Sequence, residues 1–174
     1  MSYPLRFVVD RLPTPIGDLL IVADDEGNLR ATFWTDHEGD LQRVLKRHYA
    51  GMQIELQPGA DPHGLTGAIA RYFAGELHAI DTLPVATAGT PFQREVWGAL
   101  REIPCSTTVS YGELATRLGR PAAVRAVGLA NGANPIGVVV PCHRVIGANG
   151  SLTGYGGGIE RKRWLLDHER QMRL

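Results

Sequence analysis

Short apolar runs broken by turn residues open the chain. Residues 6–9, 19–23 and 29–34 are such runs, separated by Pro13-Thr-Pro-Ile-Gly17 and Asp24-Asp-Glu-Gly-Asn28. Runs of this length between clusters of Pro, Gly, Asn and Asp predict strands joined by tight turns, here an antiparallel meander. The period then changes. Leu41, Val44, Leu45 and His48 recur at helical spacing and predict a helix over 38–49. Ile69, Tyr72, Phe73 and Leu77 predict a second helix, and 80–89, with Pro84 and small residues, reads as a linker.

From Thr90 the pattern is mainly helical. Thr90 before Pro91 is a helix start, as cap and first position. Phe92, Val96, Leu100 and Ile103 mark one face, and Pro104 ends the run. Tyr111, Leu114, Ala115 and Leu118 form a second stripe, and Ala123, Ala126, Val127 and Ala130 a third, with Gly119-Arg-Pro121 between them. Two short helices joined by a tight turn have the shape of a helix-turn-helix, and equally of an ordinary helix pair. With the third stripe turned inward, Ala122, Arg125, Gly128 and Leu129 face out. One Arg among small groups suits groove filling better than reading base edges. Asn134-Pro135 then marks a turn, 136–140 reads as a buried strand leading to Cys142, and 159–169 as a final helix.

The chain therefore reads as α/β (α+β). A first domain over 1–88 holds an antiparallel sheet with helices. A second over 89–174 is mainly helical, with the helix-turn-helix and the short strand before Cys142. At 174 residues, 44% hydrophobic and 21% charged, the composition suits one large soluble domain or two small ones. No apolar run approaches the roughly 20 residues of a membrane span, and the first ten residues lack signal-peptide character. A cytoplasmic location and no membrane partner are expected. Two cysteines are too few for a disulfide framework or a zinc cluster, and no cofactor or metal is expected. Net charge is zero but uneven: 7 Lys+Arg against 12 Asp+Glu over 1–90, and 11 against 6 over 91–174. The basic half suits a polyanion partner, or simply a solvated surface.

Cys142 lies in that basic half, followed at once by His143 and Arg144. A thiolate beside a base is a strong nucleophile, and Arg144 would favour the thiolate. Pro141 blocks continuation of a paired strand. A buried structural thiol beside a hydrogen-bonded histidine is the other reading of the same residues.

The run Pro141-Cys-His-Arg-Val145 resembles the alkyl-acceptor motif of the O6-alkylguanine-DNA alkyltransferases, the methylated-DNA–protein-cysteine methyltransferases. Pro91-Phe-Gln-Arg-Glu-Val-Trp97, Ser110-Tyr-Gly-Glu-Leu-Ala115, Arg125-Ala-Val-Gly128, Asn134-Pro135, Gly154-Tyr-Gly-Gly-Gly158 and Trp164-Leu-Leu-Asp-His-Glu169 follow in family order. The resemblance is strong over about 90–170 and loose over the first third. It implies DNA repair by direct reversal: irreversible, single-turnover ("suicide") transfer of the alkyl (methyl) group from O6-alkylguanine in double-stranded DNA to Cys142. By the same resemblance, His143 takes the thiol proton through a water, Glu169 orients His143, and Asn134 braces the turn. Tyr111 acts toward guanine N3. The Gly156 N–H bonds O6, and the Cys142 and Val145 carbonyls accept from the exocyclic amine. Tyr155 walls the alkyl group and Lys162 lies near the site. Arg125 fills the gap left by the flipped nucleotide, with Ala123, Ala126 and Gly128 on the DNA-facing helix. A bacterial-type, nucleoid-associated monomer is implied.

Val124, Gly137 and Gly156 depart from common family patterns and leave open the range of adducts, O4-alkylthymine included. Cys105 matches no acceptor motif and reads as a packed or surface thiol. Two other classes remain. A non-catalytic DNA-lesion binder has no use for Cys142, His143 and Glu169 together. A cysteine hydrolase leaves the helix pair and the basic half unexplained.

Overall fold

A computed structural model describes residues 3–171, apart from the side chains of Glu38 and Asp40. The chain divides into two compact units, Met1–Ala88 and Gly89–Leu174.

The first unit is built on a sheet. β1 (Leu5–Thr14) and β2 (Gly17–Asp24) form a hairpin, and β3 (Leu29–Trp34) pairs antiparallel with β2. This is the expected meander. A fourth strand, β4 (Ile54–Pro58), adds to the other edge of β1 in parallel, so the sheet is mixed, in the order β3-β2-β1-β4. α1 (Glu38–His48) makes the crossover that parallel pairing requires. β4 is short, with only Ile54 and Leu56 apolar, which is too little alternation to mark a strand in the sequence. β1 runs on through Pro13 because β4 pairs only with Leu5–Val9, so the missing Pro13 N–H costs no ladder bond on that side. Phe7, Leu20, Val22, Ala31, Leu41, Leu45 and Tyr49 form the core between sheet and α1. α2 (Leu65–Phe73) buries Leu65, Ala68, Ile69 and Tyr72. The expected linker is tied down: Leu29 donates to the Pro84 carbonyl and accepts from Ala86 N–H, each at 2.9 Å.

The second unit is mainly helical, with α3 (Pro91–Leu100), α4 (Tyr111–Arg117), α5 (Val124–Gly132) and α6 (Ile159–Gln171). β5 (Val109–Ser110) and β6 (Val145–Ile146) form a small parallel pair. Local chemistry sets the helix starts. Thr90 and Gln93 form a reciprocal capping box on α3, and Ser110 and Glu113 form one on α4. Gly119, at φ 72°, ends α4: its N–H donates to Thr116 and that of Arg120 to Ala115, a Schellman close. Trp97 of α3 is buried and its Nε1–H donates 2.8 Å to the Ala130 carbonyl of α5. α4 and α5 pack on one another.

The strand expected before Cys142 is absent. Residues 136–140 form a buried coil whose hydrogen bonds close locally: Val139 N–H to Gly137 O at 2.9 Å and Val140 N–H to Ile136 O at 3.0 Å. Val138, at φ 72°, breaks any extended path. Burial on all sides produces a continuous apolar run whether the backbone is extended or coiled, so the run misleads. The short strand, β6, comes after the cysteine instead.

Candidate active site

One side chain shapes the coil that delivers the thiol. Asn134 Oδ1 accepts from Ile136 N–H at 3.0 Å, and its Nδ2 donates to the Val140 carbonyl at 2.8 Å. Both ends of the 136–140 segment are thereby held by one amide. Cys142 N–H then donates 2.8 Å to Val140 O, and Pro141 leads into a single 3₁₀ turn, Cys142–Arg144. Cys142 is 7% exposed. Burial pushes its thiol pKa up, while a hydrogen bond from Asn134 and the charge of Lys162 pull it part of the way back.

His143 and Glu169, 26 residues apart in sequence, meet because α6 brings the carboxylate onto the turn. Nε2 lies 2.7 Å from Glu169 Oε1. Burial pushes the Glu169 carboxyl up, but His143 and Arg144 outweigh it and hold it far below the usual carboxylate range. An ionised Glu169 only accepts, so Nε2 carries the proton. Nδ1 is then a bare acceptor, and it is buried with no hydrogen-bond partner among the described residues. Burial keeps the imidazole neutral: it lowers the His143 pKa against the pull of Glu169.

Arg144 is placed differently from its expected role. Its Nε lies 3.1 Å from both Glu169 oxygens, Nη2 2.8 Å from Oε1, and Nη1 donates 2.7 Å to the Ile103 carbonyl. Its charge is committed to the carboxylate. The cation whose field lowers the thiol is Lys162. No spacing in the sequence distinguishes these two cations; only the position of α6 does.

Lys162 is fully buried and donates 2.7 Å to each of the Val145 and Thr153 carbonyls. Burial lowers its pKa, and the proximity of Cys142 opposes that. Thr153, which the sequence did not single out, ties the 147–158 loop to α4: its hydroxyl donates 3.2 Å to the Tyr111 phenol oxygen. That leaves the phenolic O–H of Tyr111 to donate elsewhere. Tyr111 is the first residue of α4 and its ring lies against Gly128 of α5, where an added Cβ would sit 3.7 Å from Cδ1. Tyr155 is half-buried on the same loop, Gly156 is exposed, and no side-chain atom lies within 4 Å of where a Gly156 Cβ would be. The structure thus gathers Cys142, His143, Glu169, Asn134, Val145 and Lys162 around one turn. Tyr111 joins them through Thr153.

On α5 the buried stripe is Val127, Ala130 and Asn131. Ala126, expected inside, is exposed, because the helix begins at Val124 and position 126 falls on the outer side of that stripe. Gly128, expected outside, is half-buried, as is Ala123. The outer face carries Ala122, Val124, Arg125, Ala126 and Leu129, with Leu129 72% exposed. Among the described residues no group of three or more His, Cys, Asp or Glu is placed to hold a metal ion, and no helix is long and apolar enough to cross a membrane.

Residues 91–171 match the family model described as the 6-O-methylguanine DNA methyltransferase DNA-binding domain. The chain is 54% identical over 165 residues to a methylated-DNA–protein-cysteine methyltransferase of Salmonella typhimurium, covering 95% of this chain and 96% of that one. It is 42% identical over 168 residues to the enzyme of that name from Methanosarcina acetivorans, covering 90% and 94%. The crystal structure of Mycobacterium tuberculosis OGT in complex with DNA is similar with a TM-score of 0.78 and 41% identity, covering 95% of this chain and 94% of that one. With near full-length similarity on both sides and the Pro-Cys-His-Arg turn intact, the chain belongs to the methylated-DNA–protein-cysteine methyltransferase family.

Proposed function

We propose that this chain, a DNA-repair methyltransferase that moves an alkyl group from DNA to cysteine, uses Cys142 as the acceptor and O6-alkylguanine in duplex DNA as the donor, once per molecule. The observation that carries the assignment is the ring of His143, the residue directly after Cys142: Nε2 is fixed on ionised Glu169, and Nδ1 is left buried and without a hydrogen-bond partner among the described residues. His143 takes the Cys142 proton at Nδ1, through one water, as the sulfur attacks. The S–C bond forms as the C–O6 bond breaks, and the electron pair passes into the guanine ring. Tyr111 supplies a proton or hydrogen bond at N3, so the base leaves neutral.

The remaining roles follow that pose. The exposed Gly156 N–H bonds O6, the Cys142 and Val145 carbonyls accept from the exocyclic amine, and Tyr155 lies along the alkyl group. A base inside a duplex is out of reach, so it is extruded at a cost of a few kcal/mol. Arg125, with Ala126 and Leu129 beside it on α5, occupies the gap. Ala123 and Gly128 allow the helix close to the groove, as in minor-groove binders that wedge a side chain into the stack. A thioether has no easy hydrolytic exit, so the chain stops after one turnover, and single-turnover chemistry requires no more than a monomer.

The test is stoichiometric transfer. The chain is incubated with a duplex carrying O6-methylguanine and then analysed by peptide mass. One methyl gained on the Cys142 peptide, with turnover ending at one equivalent, is the expected result. No gain on that peptide overturns the assignment, and continued turnover identifies a hydrolase. Cys142→Ala abolishes transfer and retains DNA binding.

A further inference from the structure

The loop after α3 holds a residue that neither the capping of α3 nor the transfer chemistry accounts for. Ser106 adopts φ 68°, in the left-handed region that a residue with a Cβ occupies at a cost. Its hydroxyl donates 2.6 Å to the backbone carbonyl of Glu169, 63 residues away. Three positions earlier, the Ile103 carbonyl accepts from Arg144 Nη1 at 2.7 Å. The same loop therefore touches Glu169 from two sides, at its backbone directly and at its carboxylate through Arg144.

Glu169 lies on α6. A shift of α6 at Glu169 would carry the carboxylate away from His143, and misplacement by about 1 Å can cost on the order of 100-fold in rate. We propose that Ser106 is a positioning residue for the His143–Glu169 relay: its strained backbone is kept because only that conformation brings its hydroxyl onto the Glu169 carbonyl. The inference rests on the acceptor role of Cys142 described above.

The titratable and charged groups around the relay are Cys142, His143 and Arg144 from the turn, Lys162 and Glu169 from α6, and Cys105 beside Ser106. Two variants separate positioning from simple stabilisation. Ser106→Gly and Ser106→Ala both lose the hydroxyl, but only alanine keeps the strained φ, so the alanine variant melts lower. Single-turnover transfer from an O6-methylguanine duplex is measured for both and for the wild type between about pH 6 and pH 10, alongside thermal melting. Both variants are expected to transfer about tenfold more slowly near neutrality. Their deficit should be equal despite unequal melting, and it should close at high pH, where the thiol ionises without help from His143. A glycine variant as fast as wild type overturns the inference. So does a rate that follows the order of stability, or a deficit constant with pH. No transfer by the wild type itself overturns the acceptor assignment and, with it, this inference.

Discussion

The His143 imidazole and the Glu169 carboxylate lie 2.7 Å apart, with side chains 0% and 1% exposed. A pair this deep resists protonation, and stability should report it. His143 is held below its ordinary 6.5, chiefly by burial, and Glu169 is held below its ordinary 4.5. An unfolded chain takes up the His143 proton as pH falls through about 6.5, while the folded chain does not. The Glu169 contribution is complete above 4.5 and is lost as pH falls from there toward its folded value. Both effects have the same sign, so acid destabilises in two stages, each at up to about 1.4 kcal/mol per pH unit. Denaturant melts from pH 7.5 downward check this. His143→Asn should shrink the upper stage and leave a smaller lower one, since Arg144 alone then holds the Glu169 carboxyl down. An unchanged upper stage sinks the reading.

Arg144 is the larger structural liability. It makes three contacts to one carboxylate and a fourth to a backbone carbonyl, all buried. Breaking a buried pair strands the remaining charge, at about 3–5 kcal/mol. Arg144→Met should lose an amount of that order in urea unfolding. Lysine, a point charge without the planar fork, should recover only part of it. A loss below about 1 kcal/mol, the level of a surface pair, contradicts this.

Lys162 should be visible in the thiol itself. Its charge lowers the Cys142 pKa against burial, and its ammonium satisfies the Val145 and Thr153 carbonyls. Lys162→Met removes both effects. The pH midpoint for alkylation of Cys142 by iodoacetamide should move up, and stability should fall by about 1–3 kcal/mol per stranded carbonyl. A midpoint that stays in place would show that another group sets the thiol.

The sequence carried some of this and hid the rest, for definable reasons. The meander was legible because Pro, Gly and Asp bracket short apolar runs. The helix start at Thr90 was legible because capping is local chemistry; the cap at Ser110, with Glu113 at capping-box spacing, carried the same signal and was not read. β4 was not, since five residues with two apolar positions carry little period. The strand expected over 136–140 was a coil, because full burial removes the alternation that tells the two apart. Among site residues, Cys142, His143 and Glu169 were named from an ordered set of motifs. The division of labour between Arg144 and Lys162 was hidden, because it depends on which cation α6 turns toward the carboxylate. Ser106 and Thr153 act through contacts 63 and 42 residues distant and leave no local trace.

Arg125 offers the sharpest separation of DNA handling from chemistry. It is exposed on α5, whose outer face is otherwise small or apolar, and the buried stripe Val127, Ala130 and Asn131 does not depend on it. Arg125→Ala should therefore fold normally by circular dichroism and melting. If Arg125 fills the space of an extruded nucleotide, its loss falls on the flipping equilibrium, worth a few kcal/mol, and transfer from a duplex should slow by roughly 10- to 100-fold. A single-stranded oligonucleotide carrying the same lesion needs no extrusion and should react at nearly the wild-type rate. The salt dependence of duplex binding should fall by at most about one counterion, because one cation is removed. Equal slowing on both substrates would instead make Arg125 a general phosphate contact, and the small-faced helix would then need a different explanation.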